Sequence, residues 1–250
     1  MSSATRLLKR AVGATSRRLE RPELLAAVDR GVLQAQREAT ATSAVLACSL
    51  DDGATYVDVG ANRGQVLREA LRIAPRALHI AFEPIPELAR ELSGAFPTID
   101  CRQLALGARA EVAQFCHFTQ LDGWSGLRRS PEVSDDRGAP QYITVNVSTL
   151  DAELEGVTPS VIKIDVEGAE LAVLEGGRSV LARARPLVIF EHVATAAALY
   201  EVAPQAVWDL LTELGYTIFS VTGDGPVTRA AFTAAPHVVN WMAAPGAGAS

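Results

Sequence analysis

The run Tyr56-Val57-Asp58-Val59-Gly60-Ala61-Asn62-Arg63-Gly64, followed by Leu78-His79-Ile80-Ala81-Phe82-Glu83, limits the fold of this chain more than any other stretch. An apolar strand runs into a glycine turn. A second apolar strand then ends in a carboxylate, Glu83, 25 residues after Asp58. Strand, turn, helix and strand in that order are the unit of an open, mostly parallel α/β sheet with right-handed crossovers. Ligands of such sheets sit beyond the carboxyl ends of the strands, with a backbone turn under one end and an acid on a ribose diol.

The glycine spacing narrows the ligand. It is Gly60-x-x-x-Gly64, not the Gly-x-Gly-x-x-Gly that presents helix N–H groups to a pyrophosphate. A Gly-x-x-x-x-Gly-Lys-Ser/Thr phosphate loop is absent as well. An acid at Asp58 repels a phosphate but suits the ammonium group of S-adenosylmethionine. Glu83 accepts two hydroxyl hydrogen bonds and so can hold the ribose. A nicotinamide-dependent oxidoreductase stays open as an alternative, with the missing glycine against it. A non-catalytic binding module on the same sheet is the other, with the acids further along the chain against it.

The rest of the 250 residues continues the alternation. Residues 1–50 read as helical, with Leu24, Leu25, Val28, Val32 and Leu33 at helical spacing. The basic start, Arg6 to Arg18, reads as a surface helix or a frayed end. Strands are expected at Tyr56–Val59, Ala77–Phe82, Thr98–Gln103, Val161–Asp165, Pro186–His192, Tyr216–Val221 and His237–Met242. Helices are expected from Gly64 to Ile73, from Pro86, from Ala169 to Leu181 and near Pro204–Leu214. Val112–Phe118 and Tyr142–Val147 alternate as antiparallel strands do. Between them lie Asp122-Gly123-Trp124-Ser125-Gly126 and a polar stretch over 130–140, read as a lid or specificity loop or a mobile surface loop. The Ala/Gly/Pro-rich tail from Ala243 reads as disordered.

Composition excludes some classes. A net charge of −6 argues against a phosphate-backbone partner. Cys48, Cys101 and Cys116 are odd in number and form no C-x-x-C pair, which suits reduced thiols. No run approaches the ~18 apolar residues of a membrane span. A cytoplasmic location is expected.

Chemistry-bearing residues gather at strand ends. Lys163-Ile164-Asp165-Val166-Glu167-Gly168-Ala169-Glu170 puts Asp165 at a strand end and Glu167 in the turn, with Glu170 opening a helix. Glu170 reads as a charge favoured by the helix dipole. Lys163 pairs with an acid the sequence does not identify. Glu191-His192 ends another strand. Glu167, His192 and Asp165 are therefore the candidates for a general base. Asp165, Glu167 and Glu191 could also hold an octahedral Mg²⁺, although such acids more often bind hydroxyls or one another. His79, His117 and His237 sit in expected strands with no motif around them.

Taken together these motifs resemble the FkbM family of S-adenosylmethionine-dependent methyltransferases. The resemblance is carried by Val57–Gly64, Phe82-Glu83-Pro84-Ile85-Pro86, Leu104-Ala105-Leu106-Gly107, Ser148-Thr149-Leu150-Asp151, Ile162–Glu170, Phe190-Glu191-His192 and Asn240-Trp241-Met242-Ala243. It spans residues 45–244, leaving an N-terminal helical cap over 1–44 and a tail over 245–250. It implies an α/β class I methyltransferase fold: a Rossmann-like, seven-stranded sheet, mostly parallel, with an antiparallel final strand. It implies S-adenosylmethionine as cofactor, with Asp58, Gly60, Asn62, Gly64, Glu83 and Ala105 as its site and Asp100 or Gln103 on the adenine side. The implied reaction is O-methylation of a sugar, glycoside, glycolipid or secondary-metabolite hydroxyl.

Overall fold

The structure is a computed structural model that describes residues 22–129, 139–235 and 238–246, with side chains from residue 32 onward. Arg6–Arg18, most of the 130–140 loop and His237 lie outside the described residues.

Seven strands form one sheet: β1 Thr55–Val59, β2 Leu78–Phe82, β3 Asp100–Arg102, β7 Val161–Ile164, β8 Leu187–Glu191, β9 Tyr216–Ser220 and β10 Asn240–Pro245. A smaller sheet holds β4 Ala105–Leu106, β5 Glu111–His117 and β6 Gln141–Ser148. The large sheet runs β3-β2-β1-β7-β8-β10-β9, and the small one β4-β6-β5. Strands β3, β2, β1, β7 and β8 are mutually parallel, while β10 is antiparallel to both β8 and β9. This is the class I methyltransferase topology. The order reverses at β1, between β2 and β7, and that reversal opens the crevice where such sheets bind ligands.

Short, almost wholly apolar strands such as Val161–Ile164 are what a sheet covered on both faces requires. Alternation along β1 divides its side chains between two cores. Val57 and Val59 join Ile162, Ile164, Val188 and Phe190 on one face. Tyr56 joins Val161, Ile189, Leu46 and Leu67 on the other. Asp58 and Lys163 share the second face by the same alternation.

Beyond shifts of one or two residues at element ends, three features differ from the sequence reading. The helix expected over Ala169–Leu181 is two helices, Glu170–Glu175 and Arg178–Ala184. They part at Gly176-Gly177, where the backbone of Gly176 presses on the carbonyl of Gly107 and Gly177 packs on Leu150, leaving no room for side chains. The final strand starts at Asn240 and continues to Pro245. Ala243, Ala244 and Pro245 pair with Ile218, Thr217 and Tyr216, so the residues read as a disordered tail are ordered as far as this pairing extends. A small side chain is what the crowded site at Ala243 admits, since that residue is wholly buried. Lastly, the helix Pro22–Ser49 runs unbroken across residue 44, the expected edge of the cap.

That N-terminal helix is fastened by a buried acid. Glu38 accepts hydrogen bonds from the N–H groups of Val239 (3.3 Å) and Asn240 (3.2 Å) and from the Asn240 amide (2.8 Å). The Gln34 amide donates to the same carboxylate at 2.9 Å, so removing it leaves four part-buried donors without their acceptor. Glu38→Ala should therefore cost about 2–3 kcal/mol. Calorimetry should register this as a fall in Tm of roughly 5–10 °C.

Candidate functional site

A cleft of about 650 Å³ opens beyond the carboxyl ends of β1, β2 and β7. One wall is the glycine turn with Glu83. The opposite wall is the turn Asp165–Glu167, and the small sheet supplies Ala105 and Phe115. A segment holding Asp122, Ser125 and Leu127 roofs it.

The glycine turn is shaped by backbone needs. Gly60 has φ +78°, and a Cβ there would overlap the carbonyl oxygen of Asp165. Only glycine lets the two turns lie this close. The N–H groups of Gly60 and Ala61 both donate to the Phe82 carbonyl, at 3.0 and 3.1 Å. Asn62 also has a left-handed backbone, φ 51°. This aims its N–H at Glu83 Oε2, 2.8 Å away. Glu83 Oε1 accepts from the Ile85 N–H at 2.9 Å. Glu83 is 3 % exposed. Burial pushes it up to about 7 against the pull of those two N–H groups. Each oxygen keeps lone-pair capacity toward the cleft.

The sequence candidates divide. Gly60, Asn62, Glu83, Ala105, Asp165 and Glu167 all line the cleft. Gly64, Asp58 and His192 are not among its lining residues. The open side of Gly64 faces Leu92 and Phe96, so this glycine lets the helix Pro86–Ala95 pack close. Asp58 is buried with Lys163 Nζ 3.3 Å from its Oδ1, and the same ammonium lies 3.4 Å from Asp165 Oδ2. Burial works against the charge on Lys163, but Asp58 and Asp165 outweigh it and raise its pKa. His192 follows β8 and continues the alternation of Val188 and Phe190 into their core. There its ring stacks on Phe232, with centroids 5.1 Å apart. Its Nε2–H donates to the Pro204 carbonyl at 3.1 Å, and burial lowers its pKa.

Two further acids brace the site. Glu170 Oε1 accepts from the Gly168 N–H (3.0 Å) and the Val166 N–H (3.3 Å), so it holds the Asp165–Gly168 turn from beneath rather than merely meeting a helix dipole. Burial pushes it up to about 7. Glu191 is buried at the end of β8, opposite Asn240. Burial first, then Asp165, Glu167 and Glu170, push its pKa well up. Among the described residues no three His, Cys, Asp or Glu side chains are grouped to hold a metal ion, and Asp165, Glu167 and Glu191 form no such trio. Asp100 is turned to Arg102 at 2.7 Å and Gln103 is exposed, so neither lines the cleft.

Some site residues have no motif to announce them. Asp122 binds Arg63 of the glycine turn at 2.6 Å and His117 of β5 at 3.2 Å, which ties the roof to the floor. A second cleft, of about 990 Å³, lies between the turn and the N-terminal helix. Thr42 and Ser43 of that helix, together with Lys163 and Asn240, line it. It shares Gly60, Asn62 and Asp165 with the first cleft. No helix among the described residues is long and apolar enough to cross a membrane.

Comparison with known proteins matches residues 58–218 to the family described as the methyltransferase FkbM domain. The chain is 30% identical over 152 residues to "Methyltransferase sdnD" of Sordaria araneosa, a match covering 48% of this chain. It spans 59% of the length of that curated relative. A crystal structure of methyltransferase FkbM from Methylobacillus flagellatus superposes with a TM-score of 0.49 at 17% identity, covering 78% of this chain and 44% of the other. A TehB-like SAM-dependent methyltransferase from Corynebacterium glutamicum superposes with a TM-score of 0.46 at 10% identity, covering 83% and 88%.

The raised carboxyl of Glu170 makes a stability prediction with a definite sign. Its folded-state pKa, about 7, lies above the ordinary 4.5, so its contribution is fullest below pH 4.5 and is lost as pH rises through 7. Glu170→Gln keeps an amide oxygen for the two N–H groups and puts its NH₂ where Oε2 has no partner among the described residues. Urea unfolding of this variant should show a flatter pH dependence from 5 to 8, and a gain of about 1–3 kcal/mol over the parent at pH 8.

Proposed function

The chain belongs to the FkbM family of S-adenosylmethionine-dependent methyltransferases, and from that membership we propose that it methylates a hydroxyl group of a sugar, glycoside, glycolipid or secondary metabolite. The observation that carries the reading is the pairing of walls in one cleft. A buried carboxylate held by two backbone N–H groups stands on one side, and Asp165 and Glu167 stand on the other.

The residues present fit the cofactor. Glu83 would take the ribose hydroxyls on the lone pairs its N–H partners leave open. Ala105 and Phe115 offer an apolar slot for the base. Asp165, at the junction of the two clefts, would take the ammonium of the amino-acid end. Asp58, expected to contact that ammonium directly, is covered by Lys163 instead. S-adenosylmethionine supplies an already activated methyl group on a sulfonium.

What remains for the chain is placement and one proton. Holding an acceptor oxygen in line with the transferring group is worth roughly 7–11 kcal/mol. A positioned base adds about 10²–10⁴-fold. Glu167 is our choice for that base, because it lines the cleft on a turn held rigid by Glu170. It has a left-handed backbone, φ 56°, an uncommon conformation for a residue with a side chain. His192, with its ring stacked on Phe232, is not our choice.

Incubation with labelled S-adenosylmethionine and a panel of glycosides and hydroxylated metabolites, read by mass gain, tests the reaction class. With amine and carbon-acid acceptors run alongside, methyl gain on those alone would overturn O-methylation. Glu167→Gln should lower turnover at saturating cofactor by about 10²-fold or more. It should leave S-adenosylhomocysteine binding near that of the parent, whereas full turnover would remove Glu167 as base.

Ligand affinity should also follow the ionisation of Glu83. Below its value of about 7 one oxygen carries a proton, so it becomes a donor and a much weaker acceptor. The Kd for S-adenosylhomocysteine, measured by titration calorimetry, should rise about tenfold from pH 8 to pH 6. Glu83→Gln should bind weakly and with little pH dependence over that range.

A further inference from the structure

We propose that Lys163 is a positioning residue: anchored on Asp58, it holds the Asp165 carboxylate at the wall between the two clefts, so that Asp58 acts on the ligand only through Lys163. The inference rests on the reading of Asp165 as acceptor of the cofactor's ammonium.

The arrangement follows from register and alternation. Asp58 on β1 lies directly beside Lys163 on β7 in the parallel ladder. Lys163 and Asp165 are two residues apart and share a face of that strand. The ammonium therefore sits between the two carboxylates, 3.3 and 3.4 Å from them. The Lys163 side chain is 10% exposed, and what shows of it faces the second cleft. Asp58 is buried, and the Lys163 ammonium together with the Tyr56 hydroxyl beside it offsets the cost of burying the acid. The other titratable groups acting on the cluster are Glu191 of β8 and Tyr56 of β1.

The charge count matches the task. Two carboxylates and one ammonium leave one negative charge, and that charge is displayed on Asp165, the member of the trio that reaches both clefts. A cationic amino-acid end completes it. A nucleoside lacking that end gains nothing from it.

The test compares two ligands on the full chain by calorimetry. S-adenosylhomocysteine carries the ammonium, and 5′-methylthioadenosine carries the nucleoside alone. Lys163→Met should weaken S-adenosylhomocysteine about tenfold or more. Methylthioadenosine should bind it as it binds the parent, and Lys163→Arg should restore most of the lost affinity. In the Lys163→Met/Asp165→Asn double variant the losses should not add. Equal weakening of both ligands, unchanged binding of both, or additive losses would each overturn the proposal. If Lys163→Met does not fold, Asp58→Asn carries the test: it keeps the ammonium but loosens its anchor. It should weaken S-adenosylhomocysteine severalfold and spare methylthioadenosine, and unchanged binding of both again overturns the relay. A parent protein that binds neither ligand instead refutes the cofactor reading itself.

Discussion

The site is referred to one contact, the backbone of Gly60 against the carbonyl of Asp165. It joins the turn after β1 to the turn after β7 with no side chain between them. The first turn carries the Asn62 N–H that orients Glu83. The second carries Glu167, and Glu170 clamps it from below. The separation of Glu83 and Glu167 is thus set by close main-chain packing. Glycine at 60 is what allows the approach, and φ +78° is the conformation it takes to do so.

How ionic the site is depends on what each buried acid finds. Glu83 finds two N–H donors, Asp58 finds an ammonium, and Glu191 finds mainly other acids. In a medium of low polarizability these differences decide which groups hold charge. Burial lifts Glu83, Glu170 and Glu191, and it lifts Asp58 too against the pull of the Lys163 ammonium, so the negative potential at the end of the sheet is smaller than the number of carboxylates suggests. The charge that persists lies where Lys163 steadies it.

Much of this was legible in the sequence because it is local. A glycine turn after one strand and an acid closing the next are set by neighbours in the chain, and Gly60, Asn62, Glu83, Asp165 and Glu167 line one cleft. What stayed hidden depends on register and distance. Which acid meets Lys163 is settled by how β1 and β7 slide past each other. His192 shares a strand end with Glu191, but successive residues face opposite sides, and the pattern does not say which side opens on a cleft. Asp122 reaches Arg63 across 59 positions, and nothing in either neighbourhood announces the pair. Gly64 looks like a ligand glycine, yet its missing side chain serves Leu92 and Phe96.

Glu38 meets Asn240 across 202 positions. During synthesis that acid lacks its Val239 and Asn240 donors until β10 has been made. The second cleft has the N-terminal helix for one wall and Asn240 for part of another. It is therefore among the last features of the molecule to come into being. A nascent chain can form the glycine turn and bring Glu83 to it early from local contacts, while the second cleft still lacks a wall.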